Sequence, residues 1–229
     1  MPAAPLCLAD DATFWPWLRW PEFHHWPDRE RTLVVVPLAG NADWGLGHPL
    51  DAEETVLMAV LREASRRRPA DLRLLVLPPV RFVLGPDPGC AFAVDPPLAH
   101  GLLAELLGSV AAAGFRKVVL YNSSPWNEEF IAVVARDHRI ALGRQLVRIS
   151  LAGLGLDLHP TRSRSRGDFQ TLVTALTGQE PEAPPAGLAP PALRPWGDER
   201  VFPLPDPPLP LEAARAAGAT LLSTAAAGL

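Results

Sequence analysis

Apolar residues arrive along this chain in two rhythms. Short runs rich in leucine and β-branched residues stand at 33–38 (LVVVPL), 72–77 (LRLLVL), 117–121 (KVVLY) and 145–150 (QLVRIS). The runs at 33–38 and 72–77, ended by proline, predict strands buried on both faces, the habit of a parallel sheet, and the other two read as further strands. Between the runs the spacing turns helical. Val56, Leu57, Val60 and Leu61 form a stripe behind Asp51, a good N-cap, with Glu54 placed as in a capping box and Arg66, Arg67 and Arg68 at the far end. A second helix is predicted from Asp95, with Pro96 at its first position, Leu98, Leu102, Leu103, Leu106 and Val110 turned inward, and a stop at Gly114. Ser124 as N-cap and Pro125 in the first turn open a third, over 128–140, and a short fourth covers 211–217.

Strand and helix alternate with short crossovers, so the predicted fold is α/β: a three-layer sandwich with a mainly parallel sheet flanked by helices. Ligands in such sheets collect beyond the carboxyl ends of the strands, which makes the segments after Leu38 and after Tyr121 the places to look for a site. A single domain over residues 1–229 accounts for the length, and 48% hydrophobic content suffices for its core. Two stretches depart from the pattern: a Trp- and Pro-rich opening at 1–30, and a Pro-dense arm at 178–210 without periodicity. A net charge of −4 gives no footprint for nucleic acid, and the basic run at 162–166 reads as a solvated loop. Cys7 and Cys90 read as packing residues rather than a disulfide framework. With no apolar stretch of about 18 residues and no signal-peptide pattern, no membrane association is expected and the expected location is the cytoplasm.

Three motifs carry a resemblance. PLAGNADWGLGHPLDAE at 37–53 resembles PxGSxEQHGxHLPxxTD, NSSPWN at 122–127 resembles NGHGGN, and SRGDFQT at 165–171 resembles HAGExET. Together they resemble the creatininase family of amidohydrolases over residues 20–171, with a weaker echo in the final helix. The resemblance implies the creatininase-like α/β fold, a homo-oligomer or a complex with a related protein, and hydrolysis of a C–N bond by two divalent metals that activate water and polarise an amide carbonyl.

The same alignment removes most of the ligands. The family's metal-binding glutamate falls on Ala42, its histidine on Trp44 and its bridging aspartate on Glu53. In the second motif Asn122 and Asn127 match, the ligand histidine falls on Ser124, and Trp126 stands where some members carry a glutamate. The catalytic histidine of the third becomes Ser165, and its glutamates become Asp168 and Gln170. Alanine offers no lone pair and indole only an N–H, so neither ligates a metal. The expected cofactor complement is therefore none.

Two classes of function follow. In the first, the chain keeps the family scaffold without the dimetal centre and acts as a small-ligand-binding protein or as a partner or structural subunit. Its ligand pocket would be Trp44, Glu53, Asn122, Ser124, Trp126 and Asn127, where the tryptophans either fill space or stack on a flat ligand. In the second it hydrolyses C–N bonds in a cyclic amide, formamide or peptide. The catalytic candidates are then Asp43, His48 and Asp168, with or without one divalent metal, Zn or Mn, on His48, Asp51 and Glu53. Against that stands a plainer account in which Asp51 caps a helix, Glu53 and Glu54 favour its N-terminal dipole, and His48 packs the turn. Trp15, Trp17, Trp20 and Trp26 are aromatic anchors for packing on the domain or on a neighbouring subunit, adjacent His24 and His25 point apart, and His100 is structural or exposed.

Overall fold

The computed structural model describes residues 13–42, 47–84, 90–91, 93–158, 163–182 and 208–229. Cys7, His159 and most of the Pro-dense arm lie outside them. In chain order the elements are α1 (Trp20–His24), β1 (Leu33–Ala39), β2 (Asn41–Ala42), α2 (Ala52–Arg67), β3 (Leu74–Val76), β4 (Val80–Arg81), β5 (Val83–Leu84), β6 (Cys90–Ala91) and β7 (Ala93–Val94). They continue as α3 (Pro96–Ala112), β8 (Lys117–Asn122), α4 (Glu128–Leu142), β9 (Gln145–Ser150), α5 (Ser163–Thr177) and α6 (Leu211–Gly228).

The main sheet runs β3-β1-β8-β9, with β4 extending the β3 edge of β1, and every pairing in it is parallel. Leu33 aligns with Leu74 on one side and Lys117 on the other, and Lys117 with Gln145 beyond. Because side chains alternate across a strand, β1 feeds two cores at once. Val35 and Ala39 meet Val56, Leu57 and Leu61 of α2 and Phe169, Leu172 and Val173 of α5. Val34, Val36 and Leu38 meet Leu103 and Leu107 of α3 and Ile131 and Val134 of α4. This is the three-layer sandwich that the sequence predicts, with the 34–36 segment buried at its centre.

Several elements differ from expectation. α2 is buried almost all round rather than along one stripe, because α5 and α6 cover its outer side. Asp51 does precede α2, but no side-chain cap bond forms there. Leu98 and Leu102 of α3 are 67% and 50% exposed, and the inward face is Ala99, Leu103, Leu107 and Val110. The two outer leucines sit about 100° around the helix from that face. α6 runs on to Gly228 instead of ending at 217, and the basic run is not all loop, since helix α5 begins at Ser163. At the amino end Trp15 stacks on Phe23 with ring centroids 4.7 Å apart and leans on Phe115, while Trp26 donates to Thr32 Oγ1 at 3.0 Å. Trp17 and Trp20 stay exposed. His24 and His25 do not point apart as expected: their rings meet edge to face with centroids 5.0 Å apart. His100 is half-buried and stacks on His138.

Candidate functional site

The carboxyl ends of β1 and β8 lie side by side, Leu38 aligned with Asn122, and α2 starts above them. Glu53, in the first turn of α2, is fully buried there and its Oε2 accepts from the Gly40 N–H at 2.9 Å and from Ser123 Oγ at 3.2 Å. One carboxylate therefore ties the end of β1, the start of α2 and the end of β8 together. Its approach to the backbone is close: a Cβ on Gly40 would lie 2.7 Å from Oε1 and 2.9 Å from Val83 Cγ2, so only glycine fits. Glu54 turns instead to Arg81, whose Nη2 donates to Oε1 at 2.8 Å and whose Nε forms a second bond to Oε2.

The turn after β8 is braced by its asparagines. Asn122 Nδ2 donates to the Ser124 carbonyl at 2.7 Å and Oδ1 accepts the Ser124 N–H at 3.2 Å, an Asx-type closure of the turn. Asn127 donates to the Phe82 carbonyl at 2.9 Å and accepts from the Leu84 N–H at 3.2 Å, pinning the β5 strand to the start of α4. Both asparagines thus hold backbone shape. Ser124 lies at the N-cap position of the short 3-10 turn Pro125–Asn127 but makes no cap bond. Its buried Oγ and the buried Tyr121 hydroxyl both lack a partner among the described residues, and burial drives the Tyr121 pKa well above the ordinary tyrosine value. Trp126 is half-buried and packs against the core shared by α2 and α5.

His48 lies on the loop before α2, 3.5 Å from Thr174 Oγ1 on α5. Burial lowers its pKa below the usual histidine value, and a hydrogen bond with the Gln170 backbone opposes the shift. No hydrogen bond or ion pair joins His48 to Asp51, Glu53 or Asp168. Asp51 is exposed and Asp168 half-buried on α5. Glu53, Asn122, Ser124 and Asn127 come together at the two strand ends, and His48 sits apart on the α5 side. Asp43 and Trp44 lie outside the described residues. Among the described residues no three His, Cys, Asp or Glu side chains converge as a metal site would require.

Sequence reasoning missed the bracing role of Ser123 and the Glu54–Arg81 pair. It also missed a cleft of about 420 Å³ beside the end of β9, lined by Asn122, Glu128, Arg148 and Ser150 among others. The available signal was Arg148, a charge inside the predicted fourth strand.

A mainly parallel sheet between helical layers, with the candidate site at the carboxyl ends of adjacent strands, defines a three-layer α/β protein. The family model described as creatininase, creatinine amidohydrolase, matches residues 17–185, and the chain belongs to the creatininase family. Similar solved structures include a creatinine amidohydrolase at 21% identity, covering 94% of each chain with a TM-score of 0.65. A creatininase with manganese matches at 21% identity over 94% of this chain and 95% of that one, TM-score 0.65. A putative creatinine amidohydrolase from Bacteroides fragilis reaches a TM-score of 0.69 at 13% identity, over 96% and 94%. At such identities these structures speak for the fold alone. No curated protein matches the chain. Among the described residues no helix is long and apolar enough to cross a membrane.

Proposed function

We propose that this chain is a creatininase-family protein without a working dimetal amidohydrolase centre, acting in the cytoplasm as a small-ligand-binding or partner subunit of a homo-oligomer or of a complex with a related protein. The observation that carries the reading is the use made of Glu53. The carboxylate at the family's bridging position accepts hydrogen bonds from Gly40 and Ser123, a structural role, while its neighbours in the ligand set are a neutral serine hydroxyl at Ser124 and an indole at Trp126. Two divalent cations need several anionic or imidazole ligands at about 2 to 2.5 Å. This donor set does not fit them. A small guest or ordered water at the strand ends accounts for the unpartnered hydroxyls of Ser124 and Tyr121, since buried polar groups of native proteins are nearly always satisfied.

Metal analysis of protein purified without chelator tests the reading. The expected result is no stoichiometric zinc or manganese and no rise in Tm when either is added, because a metal that binds the folded state must stabilise it by mass action. About two bound equivalents per chain, with a matching rise in Tm, would overturn it. The triple variant Ala42→Glu, Trp44→His, Ser124→His approaches from the other side. If it folds and takes up neither metal, the idea of a family site stripped of its ligands fails.

A second reading, C–N bond hydrolysis at a rearranged site, draws on His48, which burial keeps in the neutral, proton-accepting form. Turnover of cyclic amides, formamides or peptides that disappears in His48→Gln would favour it.

A further inference from the structure

At the carboxyl end of β9, the edge strand of the main sheet, a cleft of about 420 Å³ opens between that strand, the start of α4 and the end of α6. Its volume falls within the usual range of small-molecule sites. Ile149 and Leu154 give it apolar lining, Ser150 adds a hydroxyl, and Asn122 lines its inner side. Two charged side chains of opposite sign also line it: Glu128 in the first turn of α4, and Arg148 on β9. Neither makes a hydrogen bond or ion pair among the described residues, and the two do not pair with each other. This sets them apart from Arg81 with Glu54, Arg116 with Glu30 and Arg67 with Glu63, which are engaged.

We propose that this cleft binds a small zwitterion with an apolar body, of the α-amino-acid class, its carboxylate on the Arg148 guanidinium and its ammonium on the Glu128 carboxylate. Charge complementarity selects the class. A simple anion would meet Glu128 as well as Arg148, a simple cation would meet the reverse, and a neutral molecule would leave both charges unanswered. Guanidinium and carboxylate form the strongest kind of paired, charge-assisted hydrogen bond, and the apolar lining covers a hydrocarbon side chain. Asn122 joins the cleft to the interior, because the residue at its inner wall also closes the turn on Ser124. The proposal names a ligand class for the binding role proposed above and rests on that role. It uses other residues, Asn122 excepted, and a separate measurement, so metal content can contradict the lost-metal reading without touching this one.

The test is a thermal-shift and calorimetric series on the whole chain with the apolar L-amino acids, 4-methylpentanoate and 3-methylbutylamine as probes. At least one amino acid should raise Tm by about 3 °C at a tenfold excess over its Kd. The two singly charged analogues of leucine should not. Arg148→Gln and Glu128→Gln, both at the surface and expected to fold by circular dichroism, should each weaken binding at least about tenfold. If no amino acid binds, if the singly charged analogues bind as well, or if Arg148→Gln binds like the parent, the proposal is overturned.

Discussion

Gly40 and Glu53 cannot be changed independently, because the carboxylate that accepts the Gly40 N–H also occupies the space a methyl group there would need. Gly40→Ala should destabilise by about 1–3 kcal/mol through overpacking. Glu53→Ala should cost a similar ~1–3 kcal/mol, since it leaves the Gly40 N–H short of its acceptor and the Ser123 hydroxyl with only the Leu38 carbonyl at 3.4 Å. In the double variant the two losses should sum to clearly less than their total in urea unfolding, and additivity within about 0.5 kcal/mol would contradict the shared-space account. Two histidines set a second expectation at this scale. Burial lowers the pKa of His48 and of His138, and for His138 the nearby His100 adds to the shift while Asp137 opposes it. The unfolded chain then binds more protons than the native one below the ordinary histidine value of 6.5, so stability present above that pH is lost as pH falls through the lowered values. The pair His48→Gln, His138→Gln should flatten this decline in a series of urea midpoints. An unchanged slope would count against it.

Between elements, α5 and α6 approach at Gly218, where an added Cβ would fall 2.4 Å from Ala175 Cβ. Gly218→Ala should therefore destabilise by ~1–3 kcal/mol, and Ala175→Gly should recover most of the packing loss in the same chain. Failure of the rescue, read in thermal unfolding, would place the strain elsewhere. That contact also shows what a sequence conceals. The spacing of Val56, Leu57, Val60 and Leu61 reveals a helix facing the sheet, but not that α5 and α6 lie over its back, so the burial of Met58 and Ala59 could not be anticipated. Leu98 and Leu102 fail in the opposite direction, being apolar residues on an outer face that no local rule marks as such. Strands were easier to read. Gln145–Ser150 is found where its composition puts it, because a short apolar run between a helix stop and a turn has few other uses. The candidate site was legible in its backbone and less so in its side chains. Asn122 and Asn127 announce a turn, whereas the reach of Glu53 to Ser123 needs the first turn of α2 and the end of β8, 70 positions apart in sequence, to be neighbours.

At the scale of the molecule, 13–21% identity sustains the creatininase architecture over nearly the whole chain. The fold rests on patterning spread over many positions, and activity on a handful, so the two can part company. What remains to be placed is the apolar surface that the sandwich leaves uncovered. Trp17 and Trp20 are 52% and 72% exposed next to the anchored Trp15, and Leu98, Leu102, Ile140 and Val147 are exposed on α3, α4 and β9. Aromatic side chains dominate the energetics of protein interfaces, and exposed tryptophans are costly to leave in water. The chain should therefore form a homo-oligomer at micromolar concentration, with Trp17 and Trp20 in or beside the contact. Light scattering on the parent should give a multiple of 24.7 kDa, and Trp17→Ser with Trp20→Ser should weaken assembly by at least about tenfold while the fold persists. A monomer mass for the parent would end the argument for assembly. A parent multimer unmoved by the double substitution would shift the contact to the leucine face of α3, where Leu98→Ser and Leu102→Ser should then dissociate it.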